Sequence, residues 1–170
     1  VAVHTAAYTL RVPLYFAYGS NMSRARLEAR VGVVRDLGAI HLPGHVHRFS
    51  KRGRDGTGKG NVEARAAQDL VWGVLYDLGA AQFEALRAFE SGYREARLGM
   101  DAAHLGRVEA LSFVACEAVA ELAPTTAYLE HYRQGVVEHG IPATYLQEIF
   151  DSLVAQFGAQ FGDQFPRSHD

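Results

Sequence analysis

The segment Tyr15–Met22 (YFAYGSNM) ends an apolar, aromatic run abruptly in Gly19, Ser20 and Asn21. Glycine lets the backbone turn closely and bares consecutive N–H groups next to a helix start. A loop of that kind can hold a carboxylate or a developing oxyanion. A plain strand–loop–helix connection explains the same residues, because Gly-Ser-Asn is common turn chemistry. Glu90 is the second candidate. It follows the helix face Phe83, Leu86, Phe89 and precedes Ser91-Gly92. A carboxylate desolvated beside Phe89 has a raised pKa, which suits it to accept and return a proton. A solvated glutamate at a helix end is the alternative, since most glutamates are exposed.

Other residues offer weaker chemistry. Gly53, Gly58 and Lys59 match the start of a GxxxxGK pattern, but Gly60 stands where Ser or Thr should hold magnesium. No apolar strand leads directly into the stretch, so a phosphate loop is rejected. His41, His45 and His47 lie close together, yet Pro43-Gly44 interrupts them and no Cys is near, so no metal is expected. No Gly-x-Ser-x-Gly elbow supports a serine hydrolase. Arg48, Lys51, Arg52, Arg54 and Lys59 form a short basic cluster with Phe49 as its one interleaved aromatic. A solvated loop face accounts for it better than nucleic-acid binding.

These residues need elements to position them. Leu14 to Tyr18 reads as a buried strand, followed by a helix with Ser23 as N-cap and Gly32 as its end. Strand-like runs follow around 33–40 and 45–50. The stretch 53–61, with four glycines and no apolar residue, reads as a flexible exposed loop. Val71 to Asp77 is the clearest strand, and Ala80 to Phe89 reads as a helix with Phe83 and Leu86 on one face. Strands are expected over 93–98 and 108–116. Two helices close the chain. One runs from Thr126 to His139 and stops at Gly140-Ile141-Pro142. The other starts at Thr144, with Gln147 at capping-box spacing and Leu146, Ile149, Phe150, Leu153 and Phe157 as its stripe.

The 170 residues suit one domain, spanning 1–170 with a core of about 14–157 and peripheral ends at 1–13 and 158–170. Strands do not alternate regularly with crossover helices. An α+β fold is expected, with a mixed, mainly antiparallel sheet or barrel and helices packed outside. The formal net charge of −2 gives no overall reason to expect nucleic acid. The single Cys116 sits in an apolar run and reads as a buried structural thiol, in keeping with a reducing compartment. No apolar stretch is long enough for a membrane span, and the N-terminus lacks the pattern of a secretory signal. A cytoplasmic location is the expectation.

Taken together, five segments resemble the γ-glutamylcyclotransferase family. YFAYGSNM looks like its substrate loop, and FSKRGRDGTGKGNV (Phe49–Val62) like its loop between strands. VWGVLYDL (Val71–Leu78) is similar to the strand that leads to the catalytic helix. LRAFESGY (Leu86–Tyr93) places Glu90 where the family keeps its catalytic glutamate, although Arg87 stands where some members have an acidic residue. AYLEHYRQGVVEHGIPATYLQEI (Ala127–Ile149) resembles the C-terminal helix pair. The form YGSNM is closest to the general γ-glutamyl-amino-acid branch, and equally close to relatives that trim γ-glutamyl groups from biosynthetic intermediates. The resemblance implies a barrel-like core and no cofactor. It implies Glu90 as proton shuttle, with Tyr18, Gly19, Ser20, Asn21, Met22, Tyr93 and Tyr128 binding a small-molecule γ-glutamyl substrate. Neither nucleic acid nor membrane is implied as a partner, and a homodimer is compatible with it. A γ-glutamyl acyltransferase on the same scaffold and an inactive binding module are the competing readings.

Overall fold

The computed structural model describes residues 14–161. The peripheral segment expected over 1–13 therefore lies outside the described residues. A five-stranded sheet has the order β2-β5-β1-β7-β6, and a separate hairpin is formed by β3 and β4. β1 (Leu14–Ala17) and β5 (Leu70–Asp77) are covered on both faces, which is why their sequences are apolar nearly without interruption. β1 pairs antiparallel with β5 on one side and parallel with β7 (Gly106–Ala115) on the other. β2 (Arg35–Pro43) and β6 (Tyr93–Ala102) are the edges, paired antiparallel with β5 and β7. The two edges approach one another, so the sheet curls toward a barrel. The expected α+β, mainly antiparallel architecture is thus observed.

Among the described residues, four α-helices pack around this core. α1 (Arg24–Val31) starts at Ser23, whose Oγ accepts the Arg26 N–H at 3.4 Å, and ends at Gly32. α2 (Ala80–Arg87) buries Phe83 and Leu86. α3 (Thr126–Glu138) is capped by Thr125 Oγ1, which accepts the Tyr128 N–H at 3.1 Å. α4 (Ala143–Phe157) buries Leu146, Ile149, Phe150 and Leu153 from the expected stripe. No helix among the described residues is long and apolar enough to cross a membrane.

Four expectations are corrected. The stretch 53–61 is not a loose loop: β3 (His45–Arg52) and β4 (Gly58–Ala64) close a tight hairpin over it, and Gly58, Gly60 and Asn61 are buried. The turn is tied by Asp55, whose carboxylate accepts from Thr57 N at 3.0 Å and from Lys59 Nζ at 3.0 Å. α4 begins one residue early, after Pro142, so Thr144 is already helical and forms no capping box. Gln147 instead donates to Asp151 Oδ1 at 3.0 Å. Cys116 is exposed, because β7 ends at Ala115 and the chain leaves the sheet there. Finally, residues 159–161 of the tail form a 3₁₀ turn, and Phe161 is buried against Phe157.

Candidate active site

Glu90 stands in the turn between α2 and β6. Its carbonyl accepts the Tyr93 N–H at 3.1 Å, and Gly92 supplies the positive φ (81°) that closes so short a connection. The turn aims the Glu90 side chain inward, and only 11% of it is exposed. The desolvation does not come from Phe89, which is 52% exposed and lies under the Arg30 guanidinium. It comes from the wall of the cleft. Asn21 Nδ2 donates to Glu90 Oε1 at 3.1 Å and to the Tyr15 hydroxyl at 3.0 Å. Asn21 Oδ1 accepts from Arg30 Nη1 at 3.2 Å, and that guanidinium also approaches Glu90 Oε1 at 3.5 Å. Burial raises the Glu90 pKa above the ordinary glutamate value, while Arg30, Asn21, Lys51 and Arg26 oppose the rise.

The Gly19–Met22 segment is a 3₁₀ turn over Ser20–Met22 that follows β1 directly. Its Met22 and Ser23 N–H groups bond back to the carbonyls of Gly19 and Ser20 at 2.9 and 3.2 Å. The N–H groups of Gly19, Ser20 and Asn21 open the turn, where a helical start has no internal acceptor. Those three residues line an inner cavity of about 40 Å³ together with Tyr15, Tyr18 and Glu90. An outer basin of about 250 Å³ adjoins it and shares Ser20, Glu90, Tyr93 and Tyr128 as walls.

The tyrosines have distinct tasks. The Tyr18 hydroxyl is buried and donates to the Phe113 carbonyl, so it holds β1 to β7 and lines the inner cavity. Tyr93 and Tyr128 meet at one residue of β4, Gly60. The Tyr93 hydroxyl donates to Gly60 O at 2.7 Å, and Gly60 N–H donates to the Tyr128 hydroxyl at 3.1 Å. Tyr128 thereby keeps its own proton available to the cleft. A Cβ at Gly60 would stand 2.3 Å from the Tyr132 hydroxyl, so only glycine lets the hairpin come this close to α3.

The structure thus gathers Glu90, Tyr18, Gly19, Ser20, Asn21, Tyr93 and Tyr128 at one cleft. It corrects Met22, which is fully buried against Gly135 of α3 and lines neither cavity. Tyr15, Arg30, Lys51 and Gly60 join the cleft without having been named as site residues in sequence. Tyr15 lies within the YFAYGSNM run, Lys51 was read as part of a solvated basic cluster and Gly60 as part of a rejected phosphate loop, and Arg30 carried no signal. The three histidines go separate ways. His41 packs on Trp72, and His45 bonds to Pro43 O. His47 is partly buried and bonds with the Tyr132 hydroxyl, and desolvation first, then Arg48, lowers its pKa to about 3. Arg87 pairs with Glu84 and Glu95 outside the cleft.

Residues 70–149 match the AIG2-like family. No curated protein matches the chain in sequence. A solved structure described as a gamma-glutamyl cyclotransferase superposes with a TM-score of 0.72 at 20% identity, over 81% of this chain and 85% of its own. An uncharacterized protein from Homo sapiens gives 0.73 at 19% identity, over 93% and 90%. A yeast gamma-glutamyl cyclotransferase specific to glutathione gives 0.56 at 11% identity, over 84% and 96%. The fold is therefore that of the γ-glutamylcyclotransferases. With the AIG2-like match running from β5 into α4, the resemblance of the motifs to the γ-glutamylcyclotransferase family holds.

Proposed function

We propose that the protein is a γ-glutamylcyclotransferase, which converts a γ-glutamyl amide to 5-oxoproline and a free amine. The observation that carries this reading is the buried Glu90 carboxylate, held by Asn21 at 3.1 Å beside the opening N–H groups of the 3₁₀ turn. In the reaction, the substrate's α-nitrogen attacks its own γ-carbonyl carbon and closes a five-membered ring. The C–N bond to the leaving amine then breaks. No covalent enzyme intermediate is needed, because the nucleophile is part of the substrate.

The protein's task is to hold the glutamyl chain curled, where intramolecular attack gains effective molarities of roughly 10⁵ M or more. Glu90 takes one proton from the α-ammonium, which cannot attack while protonated, and returns it to the departing nitrogen; the second proton that the attacking nitrogen sheds on ring closure follows the same route, so 5-oxoproline keeps one N–H and the amine leaves as an ammonium. A positioned acid–base group of this kind contributes on the order of 10²-fold or more. The amides of Gly19, Ser20 and Asn21 bind the α-carboxylate or the carbonyl oxygen as it gains charge, and one such oxyanion contact is worth about 3 kcal/mol. Tyr128 and Tyr93, braced on the N–H and the carbonyl of Gly60, orient the chain. Asn21 is a positioning residue, since all its side-chain polar atoms are committed to Tyr15, Glu90 and Arg30.

A blocked substrate tests the intramolecular step. Turnover of a γ-glutamyl-amino acid should yield 5-oxoproline, and its N-acetyl derivative should give no release of the amine. Release of glutamate, or cleavage of the blocked compound, would mean that water is the nucleophile.

A further inference from the structure

The outer basin carries a charge pattern that the ring closure does not require. Arg26, Arg30, Lys51, Arg54 and Lys59 line it, and Glu90 is its single carboxylate among the described residues. Two of the five cations have acidic partners: Arg30 approaches Glu90 at 3.5 Å, and Lys59 pairs with Asp55 at 3.0 Å. The other three have none among the described residues. Arg26 reaches neutral partners with two of its nitrogens, Nε to Ser20 Oγ and Nη1 to His131 Nε2, both at 3.0 Å. Lys51 Nζ lies over the Tyr93 ring at 5.0 Å, and Arg54 is exposed at the mouth. Burial lowers the pKa of both Lys51 and Arg26, and the Glu90 charge, which Arg30 already approaches, only partly opposes it, so these cations are held partly out of water without an ion-pair partner of their own.

The geometry decides which part of a substrate meets them. The reacting carbonyl must lie at Glu90, on the boundary between the two spaces. The glutamyl end belongs with the Gly19–Asn21 amides, in the inner cavity closed by Ser112 and Phe113. The leaving amine is then directed into the outer basin. A single α-carboxylate there would leave more than one of the three unpaired cations uncompensated.

Resting on the cyclotransferase reading, we propose that the Arg26–Lys51–Arg54 basin is an anion subsite for the leaving amine, and that the preferred amine carries two negative charges beyond the scissile bond. A second carboxylate and a phosphate both meet that description.

The test compares three substrates by kcat/KM: γ-glutamyl-glutamate, γ-glutamyl-phosphoethanolamine and γ-glutamyl-glutamine. The glutamine compound matches the first in shape and lacks one charge. At least one dianionic substrate should exceed it about ten-fold, in line with a charged hydrogen bond, and the leader identifies carboxylate or phosphate. A Lys51→Gln, Arg54→Gln double variant should bring the ratio toward one. Equal kcat/KM across all three, or a ratio the double variant leaves unchanged, overturns the proposal. Calorimetric binding of the same compounds to Glu90→Gln separates this from the reaction itself. Charge-dependent binding without any 5-oxoproline from the wild type would keep the subsite and sink the cyclotransferase reading. Formation of 5-oxoproline with no charge preference in rate or binding would do the reverse.

Discussion

Two opposing influences act on the Glu90 carboxyl. Burial favours the protonated form, while the Arg30 guanidinium and the Asn21 amide favour the ionised one. The ionised form is the base, so turnover should fall as pH drops through the raised Glu90 pKa. Arg30→Met removes an opposing charge, and the acid limb of its kcat/KM–pH profile should move to higher pH. An unmoved limb would mean that Arg30 does not govern Glu90. The same shift has a stability sign. The native state binds the Glu90 proton more tightly than the unfolded chain does. Stability is therefore lost as pH rises from the ordinary glutamate value through the raised one, and the cost persists above it. Glu90→Gln removes that cost, so its Tm should exceed the wild type's near neutral pH, with the gap closing in acid. Glu90 and the Gly19–Asn21 turn were legible in sequence through the family resemblance, since local pattern alone left a solvated glutamate and a plain turn open. Arg30 and Lys51 were not, since they reach Glu90 from sixty and thirty-nine residues away along the chain.

The elements that bring these residues together do so through close backbone approaches. α3 meets the 3₁₀ turn at Gly135, where a Cβ would stand 2.4 Å from Met22 Cβ and 2.7 Å from its carbonyl carbon. Alanine is ordinarily the better helix residue by about 1 kcal/mol. Here overpacking should win, because the atoms met are at the backbone and cannot rotate away; such strain costs typically 1–3 kcal/mol. Gly135→Ala is expected to lower the denaturation midpoint and, by displacing the turn, to lower kcat. A variant as stable as the wild type would show that the contact relaxes freely. The β3–β4 hairpin teaches a related lesson. Its four glycines signalled a loose loop, yet Gly58 and Gly60 serve tight packing against residues far along the chain. Asn61 then fastens the hairpin to the sheet, accepting from Ala115 N at 3.0 Å and donating to Ser50 Oγ at 3.1 Å. A glycine needed for room and one needed for freedom look alike in sequence. By contrast, the α1, α2 and α3 starts and the α4 stripe were readable, because caps and helical periodicity are local.

On the scale of the molecule, charge and surface are uneven in ways composition conceals. A net charge of −2 coexists with a cleft whose mouth is strongly cationic. Cys116 shows the same limit, since its apolar neighbours belong to a strand that ends just before it. It should react with a thiol reagent in the native protein, one equivalent without denaturant; labelling only after unfolding would contradict its exposure. The fold class was legible from the spacing of strands and helices. The strand order was not, because the parallel β1–β7 pair joins residues about a hundred positions apart and no local pattern encodes it.

The central claim is that Glu90 moves the proton during ring closure. It is tested most directly by following 5-oxoproline from a γ-glutamyl-amino acid with the wild type and with Glu90→Gln, each verified as folded by its thermal transition. Gln matches Glu in shape and can still accept from Asn21, but it cannot shuttle a proton. The expected result is steady 5-oxoproline formation by the wild type and a loss on the order of 10²-fold or more in the variant. Turnover at the wild-type rate by folded Glu90→Gln would contradict the account.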